Sequence, residues 1–472
     1  MDGDHDIRLG IVRGISYGVF GPPGEFLPQA RALGARVARA YITWNQVEPE
    51  PGRYDWSAVD ALLAQIEPGD EIWLTVVSAS RWATSTASDF LPASPAKEPS
   101  SYALFVGALA AHCAGKITYW QCNNEPSNAG LWAGSAEVYA TQAAAFAKAV
   151  RSADSSATIV LGGCGYDVLS APADAPARVF FDTVLAAAGD AYDLFDVHLY
   201  DDPAAIAGHI GAVRAMMRKH GADRPVVVGE YGGPTLLGFP QLEPVMQQVM
   251  MQAFSGQGPS LDSTELAQQA ETPDRAAMRM LYARMDTLPP ELQMFMQDCP
   301  PELEARRDRI AAREIVTRNL LALGEGVRLT LCWDLAPEVP NYRDRYNLMG
   351  FLSDKLALMD FEDGRLGKVE PAGQAFKRFA ALMQGATAVR RLFAEPGLVA
   401  VEVERETGGP LQVLWAGGDA FSGEDQAARP VSWPWPAPTA TIVDALGVAY
   451  PAELRDGRLA LAVGVTPLLV TA

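Results

Sequence analysis

Short apolar runs alternate with polar loops and amphipathic stretches along most of this chain. The runs occupy residues 9–17, 36–42, 71–78, 117–124, 158–163, 194–200, 225–230 and 327–333. Most are apolar at consecutive positions and not at every second one, the pattern expected of parallel strands covered on both faces. Between them lie segments such as 138–153 and 206–219, whose spacing and Ala content predict helices. Strand-then-helix units in series build either a closed barrel or a doubly wound open sheet. Eight units, with no Gly-rich phosphate loop among them, point to a (β/α)8 TIM barrel within residues 1–385.

Two departures modify this pattern. The interval between the seventh and eighth runs needs one helix, which residues 306–323 supply, so about 236–303 is predicted to be a helical insertion after strand 7. It carries eight of the 14 methionines, Met246, Met250, Met251 and Met280 among them. A loop leaving the C-terminal end of a barrel strand lies on the active-site face. The insertion therefore either walls a pocket or meets a second subunit, unless its methionines fill a core of their own. After a helix at 371–383 the pattern changes to half-buried strands at 398–406, 411–416, 441–446 and 459–463 with frequent turns, and Trp433-Pro-Trp435-Pro excludes a helix. Residues 386–472 are predicted to be a smaller all-β sandwich.

With 472 residues, two domains are expected, and a net charge of −19 without a basic cluster excludes a nucleic-acid binder. No run reaches the ~20 apolar residues of a membrane span, and no signal-like segment opens the chain, so a cytoplasmic setting is expected. Cys113, Cys122, Cys164, Cys299 and Cys332 are odd in number and scattered, which suits small buried hydrophobes better than disulfides or a metal site. Five histidines, none in an HxH or HExxH arrangement, give no reason to expect a metal, and no cofactor is expected. Sequence leaves the oligomeric state open, a homo-oligomer included.

Candidate chemistry sits at two strand ends. In YWQCNNEP (119–126) an apolar run delivers Glu125, and Pro126 steers that Glu away from the right-handed helical region. In PVVVGEYGGP (225–234) a second apolar run delivers Glu230 into a Gly-Pro loop. An acidic side chain has no packing use at the end of a buried strand. Strands 4 and 7 face one another across a barrel of eight, so the two carboxylates converge at its mouth. Glycosidic bond cleavage needs such a pair: one acid protonates the leaving oxygen while the other attacks the anomeric carbon or activates water. A strand-end Glu also serves as a helix cap or an Arg partner, so either segment alone would say little.

Together the segments resemble the clan A glycoside hydrolases, retaining (β/α)8 enzymes, with family 39 nearest in appearance and families 5 and 30 as possible neighbours. Asn124-Glu125-Pro126 is similar to the clan's acid/base signature, with Asn124 as donor to the sugar 2-hydroxyl. Gly229-Glu230-Tyr231-Gly232 looks like the nucleophile segment. The resemblance implies that Arg39 supports the nucleophile, that His198 and Tyr200 of DVHLY lie near substrate and nucleophile, and that Trp333 forms a platform under the sugar. Trp44, Trp82 and Trp132 follow strands 2, 3 and 4 and are further candidates for stacking on a sugar face, while Asp334 reads as a loop residue. The long insertion departs from the family pattern. The expectation is a retaining O-glycosidase acting on a carbohydrate, β-linked. Competing readings are an endo-acting polysaccharide hydrolase or transglycosylase with the same dyad, a non-catalytic carbohydrate-binding barrel, and a metal-dependent hydrolase.

Overall fold

The computed structural model describes residues 6–20, 23–113, 115–254, 272–336, 344–362 and 365–472. Eight parallel strands close into a barrel: β1 (Arg8–Val12), β2 (Val37–Thr43), β3 (Glu71–Val77), β4 (Tyr119–Cys122), β5 (Thr158–Gly165), β6 (Leu194–Leu199), β7 (Val226–Tyr231) and β8 (Leu329–Cys332), which returns to pair with β1. All seven residues of β2 and all six of β7 are buried, because helices cover the outside and packed side chains fill the inside. The helix Ala136–Ala153 shows the outer layer's logic. Ser135 caps it by accepting from the Val138 N–H, and Tyr139, Ala143, Phe146 and Val150 make its buried stripe. The first run, read to residue 17, ends as a strand at Val12, since Gly14 turns the chain at φ 104°.

Three parallel pairings slip, and all of them border the mouth. Gly163 is passed over between β5 and β6, and Gly229 between β6 and β7, where His198 pairs with Glu230; the β7–β8 register also shifts. Such bulges bend a strand and re-aim the next side chain.

The expected insertion after β7 is helical, with helices Glu243–Phe254, Pro273–Tyr282 and Pro290–Gln293; residues 255–271 of the expected span lie outside the described ones. Leu242, Val249, Met278, Met294 and Met296 form its core, joined by Leu348 and Phe351 from the connection after β8. Its methionines divide: Met278, Met294 and Met296 fill that core, whereas Met251 and Met280 are exposed. Among the described residues no helix is long and apolar enough to cross a membrane.

A hairpin of β9 (Met359–Glu362) and β10 (Arg365–Val369) and the helix Pro371–Leu382 lead to the C-terminal sandwich. Its larger sheet orders β11 (Ala386–Arg391), β12 (Leu398–Arg405), β13 (Leu411–Ala416), β19 (Leu468–Thr471), β15 (Thr441–Asp444) and β16 (Ala449–Tyr450). The smaller orders β14 (Arg429–Pro434), β18 (Arg458–Val463) and β17 (Glu453–Arg455). β14 holds Pro430 and Pro434 because it is an edge strand, paired among the described residues with β18 alone. One face of the larger sheet, with Leu398, Ala400, Leu414 and Val470, packs on Trp433 and Leu459 of the smaller. The other face, with Val401, Val403, Val413 and Trp415, belongs to the same continuous core as the barrel.

Candidate active site

The two strand-end carboxylates meet. Glu125, His198 and Glu230 each offer an atom, and these atoms all lie within 4.8 Å of one another at the C-terminal ends of β4, β6 and β7. Glu125 reaches the mouth through a kinked backbone, with Asn123 at φ 58° and Glu125 itself at φ 38°. That turn fits only because β5 offers Gly163, where a Cβ would stand 2.6 Å from the Glu125 nitrogen.

Glu230 is enclosed; its side chain keeps 4% of its exposure against 23% for Glu125. Its Oε1 accepts from Arg39 Nη1 at 3.1 Å and from the Tyr41 hydroxyl at 2.5 Å, and its Oε2 accepts from the Tyr200 hydroxyl at 2.7 Å. Burial, partly opposed by Arg39 at Tyr41, pushes both phenols well above their usual range, so they keep their protons and donate.

Arg39, fully buried, is the hub beneath. Its Nε donates to Thr75, its Nη1 to the Gly229 carbonyl and Glu230, and its Nη2 to Gln121 at 2.6 Å and Asn124 Oδ1 at 2.8 Å. The bond to Asn124 fixes the amide so that its NH2 end faces away from the guanidinium. His198 lies between the carboxylates. Its Nδ1 is 2.6 Å from Glu125 Oε1 and 3.3 Å from Glu230 Oε2, and its Nε2 is 3.1 Å from Asp196 Oδ2. Burial pushes the imidazole down, but Glu230, Asp196 and the hydrogen bonds to Asp196 and Glu125 overturn it and raise it to about 10. For Glu125, His198 and Glu230 to hold a metal ion, His198 must first give up that proton.

The structure thus gathers Arg39, Asn124, Glu125, His198, Tyr200 and Glu230 into one site, with Trp333 half-buried at the end of β8, its backbone N–H donating to the Tyr231 carbonyl. Two of the three other tryptophans are corrected. Thr43 caps the short helix Trp44–Val47, which buries Trp44 against Phe105 and Tyr102 with no face open to a sugar. Trp132 is 2% exposed and packs edge-on against Tyr139. Trp82 is half-buried, its indole tied to the Glu48 carbonyl at 2.8 Å. Asp334 lies in the loop after β8, as expected, but is buried there at 2% exposure. All five cysteines are buried free thiols. Sequence reading missed Tyr41, Thr75, Gln121 and Asp196. Their signal was a polar residue inside an apolar run, and for Tyr41 and Asp196 also the inward parity set by Arg39 and His198 on the same strands.

No protein-family profile and no curated protein sequence matches this chain. Solved structures do. A family 39 glycoside hydrolase from the gut symbiont Bacteroides cellulosilyticus WH2 is 14% identical, with 100% of this chain and 82% of that one covered at a TM-score of 0.61. A GH39 β-xylosidase from Caulobacter crescentus is 14% identical over 99% and 96% at 0.58. AbfB, a family 51 α-L-arabinofuranosidase from Bifidobacterium longum, is 15% identical over 99% and 97% at 0.56. This chain has the two-domain fold of these glycoside hydrolases, a closed eight-stranded barrel followed by a β-sandwich.

Proposed function

We propose that this protein is a retaining glycosidase acting on β-linked O-glycosides, with Glu125 as acid/base and Glu230 as nucleophile. The observation that carries the reading is that one oxygen of Glu125 and one of Glu230 lie within 4.8 Å of each other at the barrel mouth. Retaining enzymes hold this pair ~5–5.5 Å apart, whereas inverting ones need ~6.5–9.5 Å for an intervening water.

The surroundings suit the division of labour. Arg39, Tyr41 and Tyr200 fix both oxygens of Glu230, so the attacking atom needs little reorganisation. A Glu230 oxygen bonds to the anomeric carbon as the bond from that carbon to the leaving oxygen breaks, and Glu125 gives its proton to that oxygen. Water then attacks the same carbon, Glu125 takes the water's proton, and Glu230 leaves as a carboxylate. Glu125 is the more exposed of the two, as a group that meets both an aglycone and water must be. The Asn124 NH2 serves the sugar 2-hydroxyl, and the half-buried Trp333 supplies the platform. A binding-only barrel has no use for a carboxylate clamped by three donors.

The test is a panel of aryl glycosides, with β-xylosides, β-glucosides and α-L-arabinofuranosides first, read by proton NMR of the first-formed anomer. Retention is expected, unaffected by chelator. Glu230→Ala should abolish turnover, and Glu125→Ala should spare activated leaving groups more than poor ones. An inverted product anomer would overturn the nucleophile assignment.

A further inference from the structure

Beneath the two glutamates lies a third carboxylate that the proposed chemistry does not use. Asp196 is completely buried on β6, two residues before His198. Its Oδ1 accepts from the Gly229 N–H at 2.6 Å, its Oδ2 accepts from Gln121 Nε2 at 2.9 Å and faces His198 Nε2 at 3.1 Å, and Arg39 Nη1 stands 3.7 Å away. The site is built for it. Gly229 is the residue passed over in the β6–β7 register, so its N–H has no ladder partner and turns to Asp196 instead. A side chain at 229 would strike the carboxylate, since a Cβ there would lie 2.2 Å from Oδ1.

We propose that Asp196 is a positioning residue which, through His198, holds an imidazolium between Glu125 and Glu230 and so sets the pH range in which the dyad keeps its working protons. The deduction rests on the proposed glycosidase reading for its kinetic consequence, though not for its first test. The nearest partner of each ring nitrogen is a carboxylate, Glu125 at 2.6 Å from Nδ1 and Asp196 at 3.1 Å from Nε2, closer than the Arg39 Nη1 donor at 3.4 Å, so the geometry favours a proton on both. The groups facing the ring are Arg39 from β2, Glu125 from the end of β4, Asp196 and Tyr200 from the β6 strand and its end, and Glu230 from β7. Three of these five are carboxylates, and Asp196 is the one that meets Nε2.

Asparagine at 196 keeps an acceptor for the Gly229 N–H, but turns an NH2 toward Gln121 Nε2 and His198 Nε2. The ring then sheds its Nε2 proton to accept from that NH2, which leaves a neutral imidazole. Removing the negative charge beside Nε2 also lowers the proton affinity of the ring, so the limb of the pH profile that follows His198 moves downward.

Imidazole nitrogen NMR on the 15N-histidine-labelled full chain tests this without any substrate. The signals are few, since the chain has five histidines, and that of His198 is assigned by its absence from a His198→Gln spectrum. In the unmodified protein both His198 nitrogens should read as protonated at pH 7 and up to about pH 9. A single-proton ring at pH 7 would overturn the proposal whatever becomes of any variant. In Asp196→Asn the same ring should be neutral at pH 7 with Nε2 bare. On whichever aryl glycoside is turned over, the alkaline limb of kcat/KM should fall by at least one pH unit with KM changed less than twofold. A lowered rate with an unmoved pH profile would mean that Asp196 serves packing alone. An inactive protein with a doubly protonated His198 would instead count against the glycosidase reading and leave the role of Asp196 standing.

Discussion

Two arginine–carboxylate networks in this molecule use the same chemistry in opposite settings. Around Arg39, side chains from β2, β3, β4, β6 and β7 converge in the barrel interior, where Arg39 and Asp196 have no solvent exposure at all. At the seam between the domains, Arg306, Arg309 and Arg313 on the helix Pro301–Gly324 all reach Glu424, and Arg306 also holds Asp425. There the partners range from 5% to 59% exposed. A desolvated charge must have every donor and acceptor matched, whereas water replaces a missing partner at the seam. The interior network therefore fixes geometry, and the seam network only helps to align two bodies.

The most severe way to break the contrast is Arg39→Met. It leaves Glu230 and Asp196 without the guanidinium, and should cost about 3–5 kcal/mol in denaturant unfolding and at least ~1000-fold in kcat/KM. If activity survives within tenfold, the interior network is not the frame of the site.

Asp334 tests a buried carboxyl that lacks such a network. Its Oδ1 accepts no hydrogen bond among the described residues. Burial, against Arg13 and with help from Asp354 and Glu230, pushes its carboxyl up to about 8. The folded state therefore holds a proton that the unfolded chain has released above about pH 4, and stability is lost as pH rises from about 4 to about 8. Asp334→Asn should raise stability by about 1–3 kcal/mol above pH 8, with the gain vanishing below pH 4. Thermal unfolding across that range checks the sign; an equal gain at pH 3 would refute the titration argument.

At the seam, Glu424→Ala should cost about 1–2 kcal/mol and leave kcat/KM within twofold, because Arg309 and Arg306 regain water. Asp425→Ala, at 59% exposure, should change stability by less than ~0.5 kcal/mol. Parallel unfolding curves settle both. An Asp425 effect equal to that of Glu424 would erase the gradient with exposure.

The same contrast governs what sequence disclosed. The eight strands were legible because doubly covered parallel strands are apolar without interruption, and Glu125 and Glu230 because they end two of them. Tyr41 and Asp196 were not, since in a run buried on both faces no alternation marks which residues point inward. Parity with Arg39 and His198 was the missing step. Trp44 misled because the residue after a strand was taken for a loop platform, whereas the Thr43 cap starts a helix and folds the ring inward. In the sandwich, β14 was hidden by its prolines and the short β16 and β17 by their length.

The larger sheet of the sandwich is covered twice, by its smaller partner sheet and by the barrel. Ending the polypeptide near residue 385 would strip greasy surface bare on both sides of the cut, and neither fragment would remain in solution as a well-behaved body. The C-terminal unit is thus a keel of the barrel and not an appendage to be exchanged. Grafting schemes that treat it as a removable sugar-binding tag should yield aggregates.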